Sequence, residues 1–142
     1  MSGSFKFPLI AFSSSVVHVA RNARDLLICS KKALKDGFYK DLKIVDSCSM
    51  IYYIENASKL KPHGFFYGYN IFLNQKIEVE LIIKFYEYIG LSDFKELVLL
   101  KLRENFVEIG GNYNHIANAI KSCTSIKAVI KHLTEWFYSE YN

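Results

Sequence analysis

LKIVDSCSMIYYIENASKL, residues 42–60, holds two short apolar runs separated by the small polar trio Ser47–Ser49. Runs of that length bounded by turn formers predict a hairpin, Leu42–Asp46 paired with Met50–Glu55. Asn56 can cap a short helix after it, and Pro62 would stop that helix. Asp46 stands at the entry to the turn, where a carboxylate usually accepts hydrogen bonds from turn amides.

Outward from this stretch the period stays near two. In KIEVELIIKF (76–85), Ile77, Val79, Leu81, Ile83 and Phe85 fall on one face of a strand, and Lys76, Glu78, Glu80 and Lys84 on the other. FFYGYNIFL (65–73) reads as another strand, with Gly68 marking a bulge. Phe5–Phe12 reads as a first strand, which Pro8 would place at an edge or a bulge. Residues 16–28 suit a helix or a strand equally well. Ser30 can cap a short helix, KKALK, that Gly37 ends.

After Gly90 the period becomes 3.6. Asp93 and Glu96 form a capping-box variant, and Phe94, Leu97, Val98 and Leu102 line one face. A turn at Gly110–Asn112 leads to a helix with Ile116, Ala119, Ile120 and Cys123 in phase. A further helix starts near Thr124 or Ser125, with Ile126, Val129, Ile130, Leu133 and Trp136 in phase. The expectation is one α+β domain over residues 1–142. Its small, mostly antiparallel sheet comes from the N-terminal half and packs with C-terminal helices.

At 142 residues and 51% hydrophobic, with 11 Phe and 10 Tyr, the chain can bury a core without metals or disulfides. Cys29, Cys48 and Cys123 are widely spaced and odd in number, as in a cytoplasmic protein with reduced thiols. No apolar run reaches the ~18 residues of a membrane span, and FKFPLIAF is too short for a signal peptide. Residues 1–75 carry ten Lys and Arg against five Asp and Glu, so the net charge of +4 resides in the N-terminal half.

Groupings that would mark an enzyme are missing from the sequence. The chain has no HExxH, no CxxC, no GxGxxG and no GxxxxGK[ST], and Gly110–Gly111 is an isolated pair. Of His18, His63, His115 and His132, the last two fall on different predicted helices, and no pair of them has the spacing of a metal site. His63 with Asp46 is the best hydrolytic pairing that can be drawn, and an exposed turn histidine explains His63 better. Glu78 and Glu80 could hold a cation, but their flanking lysines suit ion pairs across strands better. No catalytic residue, metal or cofactor is expected. The lysines at 31, 32, 35, 40, 43, 59 and 61 lie near Phe65, Phe66, Tyr67 and Tyr69. Cations interleaved with aromatics suit a protein interface or single-stranded nucleic acid.

The succession from DLLICSKKALKDGFYKDLKIVDSCSMIYYIENASKL through KIEVELIIKF to GLSDFKELVLLKLREN resembles small immunity proteins of polymorphic-toxin and contact-dependent growth inhibition systems. The likeness rests on a strand ending in Asp46, the small turn Ser47–Ser49, the aromatic strand with Tyr52 and Tyr53, and Ala57–Leu60. A later entry at Leu91 and Ser92 belongs to it, with Lys95 one position early. Ser49 stands where the pattern has a turn glycine. The resemblance implies stoichiometric binding of a cognate toxin domain in the cytoplasm, with no cofactor. The expected contact residues are Lys40, Lys43, Tyr52, Tyr53, Phe66, Tyr67 and Tyr69. The other function kept open is a nucleic-acid-binding module using the same basic, aromatic half.

Overall fold

The computed structural model describes residues 5–13, 17–62, 76–104 and 113–140. The N-terminal half supplies β1 (Leu9–Phe12), β2 (Val17–Ala20), α1 (Ala23–Leu27), β3 (Ile28–Ser30) and α2 (Lys31–Lys35). There follow β4 (Lys43–Val45), β5 (Met50–Pro62) and β6 (Lys76–Tyr88), then α3 (Leu91–Glu104), α4 (Tyr113–Lys121) and α5 (Ile126–Glu140). The described strands form one six-stranded sheet in the order β2-β1-β4-β5-β6-β3, antiparallel at every pairing. The α+β expectation holds. The strand read into 65–73 and the turn at 110–112 lie outside the described residues.

Period-two alternation sends the two faces of the sheet into two cores. Ile10, Phe12, Val45 and Ile51 point to α3, α4 and α5, where Phe94, Val98 and Leu102 make a fully buried i, i+4, i+8 stripe. Leu9, Ala11, Ile44, Tyr52 and Ile54 point the other way. The curled sheet and α1 close that second core, around Leu26, Tyr39, Ile77, Val79 and Leu81.

The hairpin at 42–55 forms as expected, and Asp46 organises its turn. Its Oδ1 accepts from the amides of Cys48 (2.9 Å) and Met50 (3.2 Å), and its Oδ2 accepts from the Lys6 amide (3.3 Å) and the Tyr52 hydroxyl (3.4 Å). Ser49 has φ +66°, the left-handed conformation for which glycine is the usual residue.

Three expectations are corrected. No helix follows Asn56, because β5 continues to Pro62; thirteen-residue pairing with β6 outweighs a local cap signal. β1 starts after Pro8 and lies inside the sheet, not at its edge. α3 starts at Leu91, two residues before the anticipated cap, so Asp93 sits in its first turn, where a carboxylate suits the helix dipole. The ambiguous 16–28 stretch resolves into strand, short helix and strand. Asn22 caps α1 and Ser30 caps α2, through side chains that accept from Asp25 and Ala33.

Tyr53 pairs with Phe85 and Ile54 with Ile83, which leaves Lys84 as an extra residue in β6. Ile54 with Ile83 and Asn56 with Ile82 leave Glu55 extra in β5. These matched bulges switch the facing of both strands at one level. Phe85 therefore leaves the face it was expected to share with Ile77, Val79 and Leu81.

β3 covers the outer edge of β6 only over Lys76–Glu78, and beyond Glu78 no described strand pairs there. The Ile89 amide bonds the Ser49 carbonyl (2.9 Å), and the Ile54 amide bonds the Leu42 carbonyl (2.8 Å). In an antiparallel ladder bonded pairs alternate, so Glu87 and Phe85 bond inward to β5. Tyr86 and Tyr88 turn their backbone groups outward.

Candidate interaction surface

Two turns bring the expected lysines together. After α2 the chain reverses through Gly37 (φ +79°) and Asp41 (φ +56°), with the Lys40 amide on the Gly37 carbonyl at 3.0 Å. That reversal sets Lys40 and Asp41 beside the start of β4. Register then lines up Phe12, Lys43, Tyr53 and Phe85 across β1, β4, β5 and β6. The row lies on the helix side of the sheet.

Tyr53 and Phe85 stack face to face, with centroids 4.3 Å apart and planes within 17°. The Lys43 ammonium lies 6.0 Å from the Tyr53 centroid, at the outer reach of a cation–π contact. The Tyr53 hydroxyl donates to Glu87 at 3.5 Å. Burial first, and then the Glu87 carboxylate, push the Tyr53 hydroxyl above the ordinary tyrosine value.

A cleft of about 460 Å³ opens beside this row, between the sheet and α3, with Phe12, Lys40, Asp41, Lys43 and Lys101 in its walls. A second hollow of about 160 Å³ shares Asp41 and Lys43 with it and runs on to Tyr53, Lys84 and Phe85. Four ammonium groups and one carboxylate thus line two adjoining hollows. Lys101 also holds Glu104 at 3.6 Å.

The far face of β6 carries further aromatics. Tyr86 is 62% exposed and Tyr88 82%, while Phe85 on the groove side is 50% exposed. With Ile82, these account for four of the five exposed large hydrophobics among the described residues. Lys84 to Tyr88 are exposed without interruption.

Of the residues expected at the interface, the structure brings Lys40, Lys43 and Tyr53 together. Tyr52 is a correction: it is 7% exposed, packs edge-on to Phe5 at 4.7 Å and belongs to the second core. Tyr53 is its immediate neighbour in the chain, and alternation sends the two to opposite faces. Phe66, Tyr67, Tyr69 and His63 lie outside the described residues. Sequence reasoning did not assign Phe85, Tyr86, Tyr88, Lys84 or Lys101 to the interface. Helix–sheet docking brings Lys101 to the groove from another element, and the bulge that redirects Phe85 has no glycine to announce it.

The other candidates lead elsewhere. Lys32 is tied to Asp36 at 2.8 Å, an i, i+4 pair on α2. The His18 Nε2 sits 3.1 Å from the Asp25 carbonyl, and its ring meets Phe38 edge-on. Glu78 is in register with Lys61 across β5 and β6. Among the described residues no three His, Cys, Asp or Glu side chains gather as a metal site would require. Cys29, Cys48 and Cys123 form no disulfide. No described helix is long and apolar enough to cross a membrane. No family model matches the chain, and neither does any curated protein or solved structure.

Proposed function

We propose that this chain is an immunity-type binder that neutralises a cognate toxin domain in the cytoplasm by stoichiometric occlusion. The observation that carries the reading is the uninterrupted exposed run Lys84–Tyr88, with three aromatic rings beside a basic groove. Exposed rings of that density cost solvation in an isolated chain. They are also the residue types that become anchors when a partner desolvates them, while surrounding charge speeds encounter and sets orientation. Tyr86 and Tyr88 serve as the anchors, and the lysines select an acidic partner surface.

The test is recovery of the tagged chain from the cells that encode it, followed by identification of the co-purified protein. The expected companion is a toxin domain whose killing this chain cancels at a one-to-one ratio. Tyr86→Ser and Tyr88→Ser should each weaken that complex by about 2 kcal/mol. Recovery of nucleic acid alone would defeat the reading. A nucleic-acid-binding role is the second reading, favoured by the lysines around the Tyr53–Phe85 stack; it requires binding that falls steeply with salt.

A further inference from the structure

We infer that the groove running from Lys101 past Lys40 and Lys43 to Lys84 receives an acidic, apolar-tipped polypeptide segment of the partner. This rests on the immunity-type reading and gives its partner a chemistry. The two hollows adjoin, with Asp41 and Lys43 in the walls of both. Their walls are unlike at the two ends. Lys40, Lys43 and Lys101 surround the larger end, whereas Tyr53 and Phe85 floor the smaller one beside Lys84. Cations gathered in a cleft with low-dielectric walls focus their field into it, so carboxylates are favoured at the larger end. An apolar side chain suits the smaller end, where it can lie on the half-exposed Phe85 ring.

Asp41 separates a polypeptide from a nucleic acid. It is the single carboxylate shared by both hollows, and it sits midway along the groove. A phosphodiester backbone threaded there has no hydrogen-bond donor to offer that carboxylate. A peptide instead presents backbone N–H donors, which a carboxylate accepts.

The probe is a dye-labelled acetyl-DEDELF-amide peptide, with a ten-residue oligothymidylate as its rival, each titrated by fluorescence anisotropy at fixed salt. Two double variants accompany the natural chain. Lys40→Gln with Lys43→Gln neutralises the groove; Lys127→Gln with Lys131→Gln removes the same charge from exposed positions on α5 that do not line it. The peptide should bind the natural chain and lose about tenfold affinity in the groove variant, with no change in the α5 variant. Three results would each overturn the inference. They are no peptide binding up to about 1 mM, equal losses in the two variants, or tighter binding of the oligothymidylate than of the peptide. A toxin domain recovered from cells whose affinity ignores the groove variant would remove the groove and spare the immunity reading. Peptide binding by a chain that protects against no toxin domain would do the reverse.

Discussion

Asp46 is the one buried charged residue among the described residues, and four donors converge on it from three places in the chain. It joins the hairpin turn to the N-terminal segment through Lys6 and to the second core through Tyr52. Asp46→Ala removes the acceptor shared by the Lys6, Cys48 and Met50 amides and the Tyr52 hydroxyl, and should cost about 3 kcal/mol in urea unfolding. Asp46→Asn keeps Oδ1 as an acceptor but replaces the other oxygen with a donor, so a smaller loss is expected. Tyr39 is the second such residue. Its buried hydroxyl donates to the Leu26 carbonyl at 2.7 Å. Burial, reinforced by the neighbouring Cys29, holds that hydroxyl far above the ordinary value of 10.0. A raised pKa means that the unfolded chain loses this proton first. The associated stability is therefore intact below about pH 10 and falls as pH rises above it. Tyr39→Phe should flatten the alkaline side of a stability–pH curve by up to about 1.4 kcal/mol per pH unit. An unchanged slope in the variant would show that the phenol is not the titrating group.

At the scale of elements, the sequence was most legible where a single side chain decides a local outcome. Ser30 and Ser125 cap α2 and α5 by accepting from the amides three residues on, at 3.0 and 3.1 Å. Each Ser→Ala change should lower thermal stability by about 1 kcal/mol. The hairpin around Asp46 and the stripe Phe94, Val98 and Leu102 were legible for the same reason, since period and turn chemistry are local. The extent of β5 was not. Asn56 and Pro62 bracket a plausible helix, and only the presence of β6 beside them makes a strand the better solution. Facing was lost at Lys84. Alternation is read by counting, and one unpaired residue reverses every later assignment. The candidate surface was legible to the same degree. Lys40, Lys43 and Tyr53 could be named from charge and aromatic content, whereas Lys101 reaches them only through the docking of α3.

For the whole molecule, the decisive fact is that one sheet divides two cores. Strands β1, β4 and β5 send side chains into both, so neither half can loosen without disturbing the wall they share. Phe94→Ala on the helix side should cost about 3–5 kcal/mol, and Leu26→Ala on the curled side about 2–5 kcal/mol. Both should shift one common unfolding transition, with far- and near-ultraviolet circular dichroism changing together. Two separate transitions would mean that the sheet does not couple the cores.

The stretch of β6 that no described strand pairs also bears on how copies of the chain behave in a crowd. β2, at the opposite end of the sheet, is the other edge among the described strands, so the described sheet has two unlike edges. Pairing β6 of one copy with β2 of the next would be head-to-tail and would not close, which is the geometry of a growing filament. β2 is only four residues long, and the bulge at Lys84 interrupts the regular edge of β6. Deleting Lys84 would remove that bulge and leave the one at Glu55, without moving any side chain to the other face. The deleted chain should fold, and light scattering at rising concentration should show it polymerising where the natural chain stays dispersed.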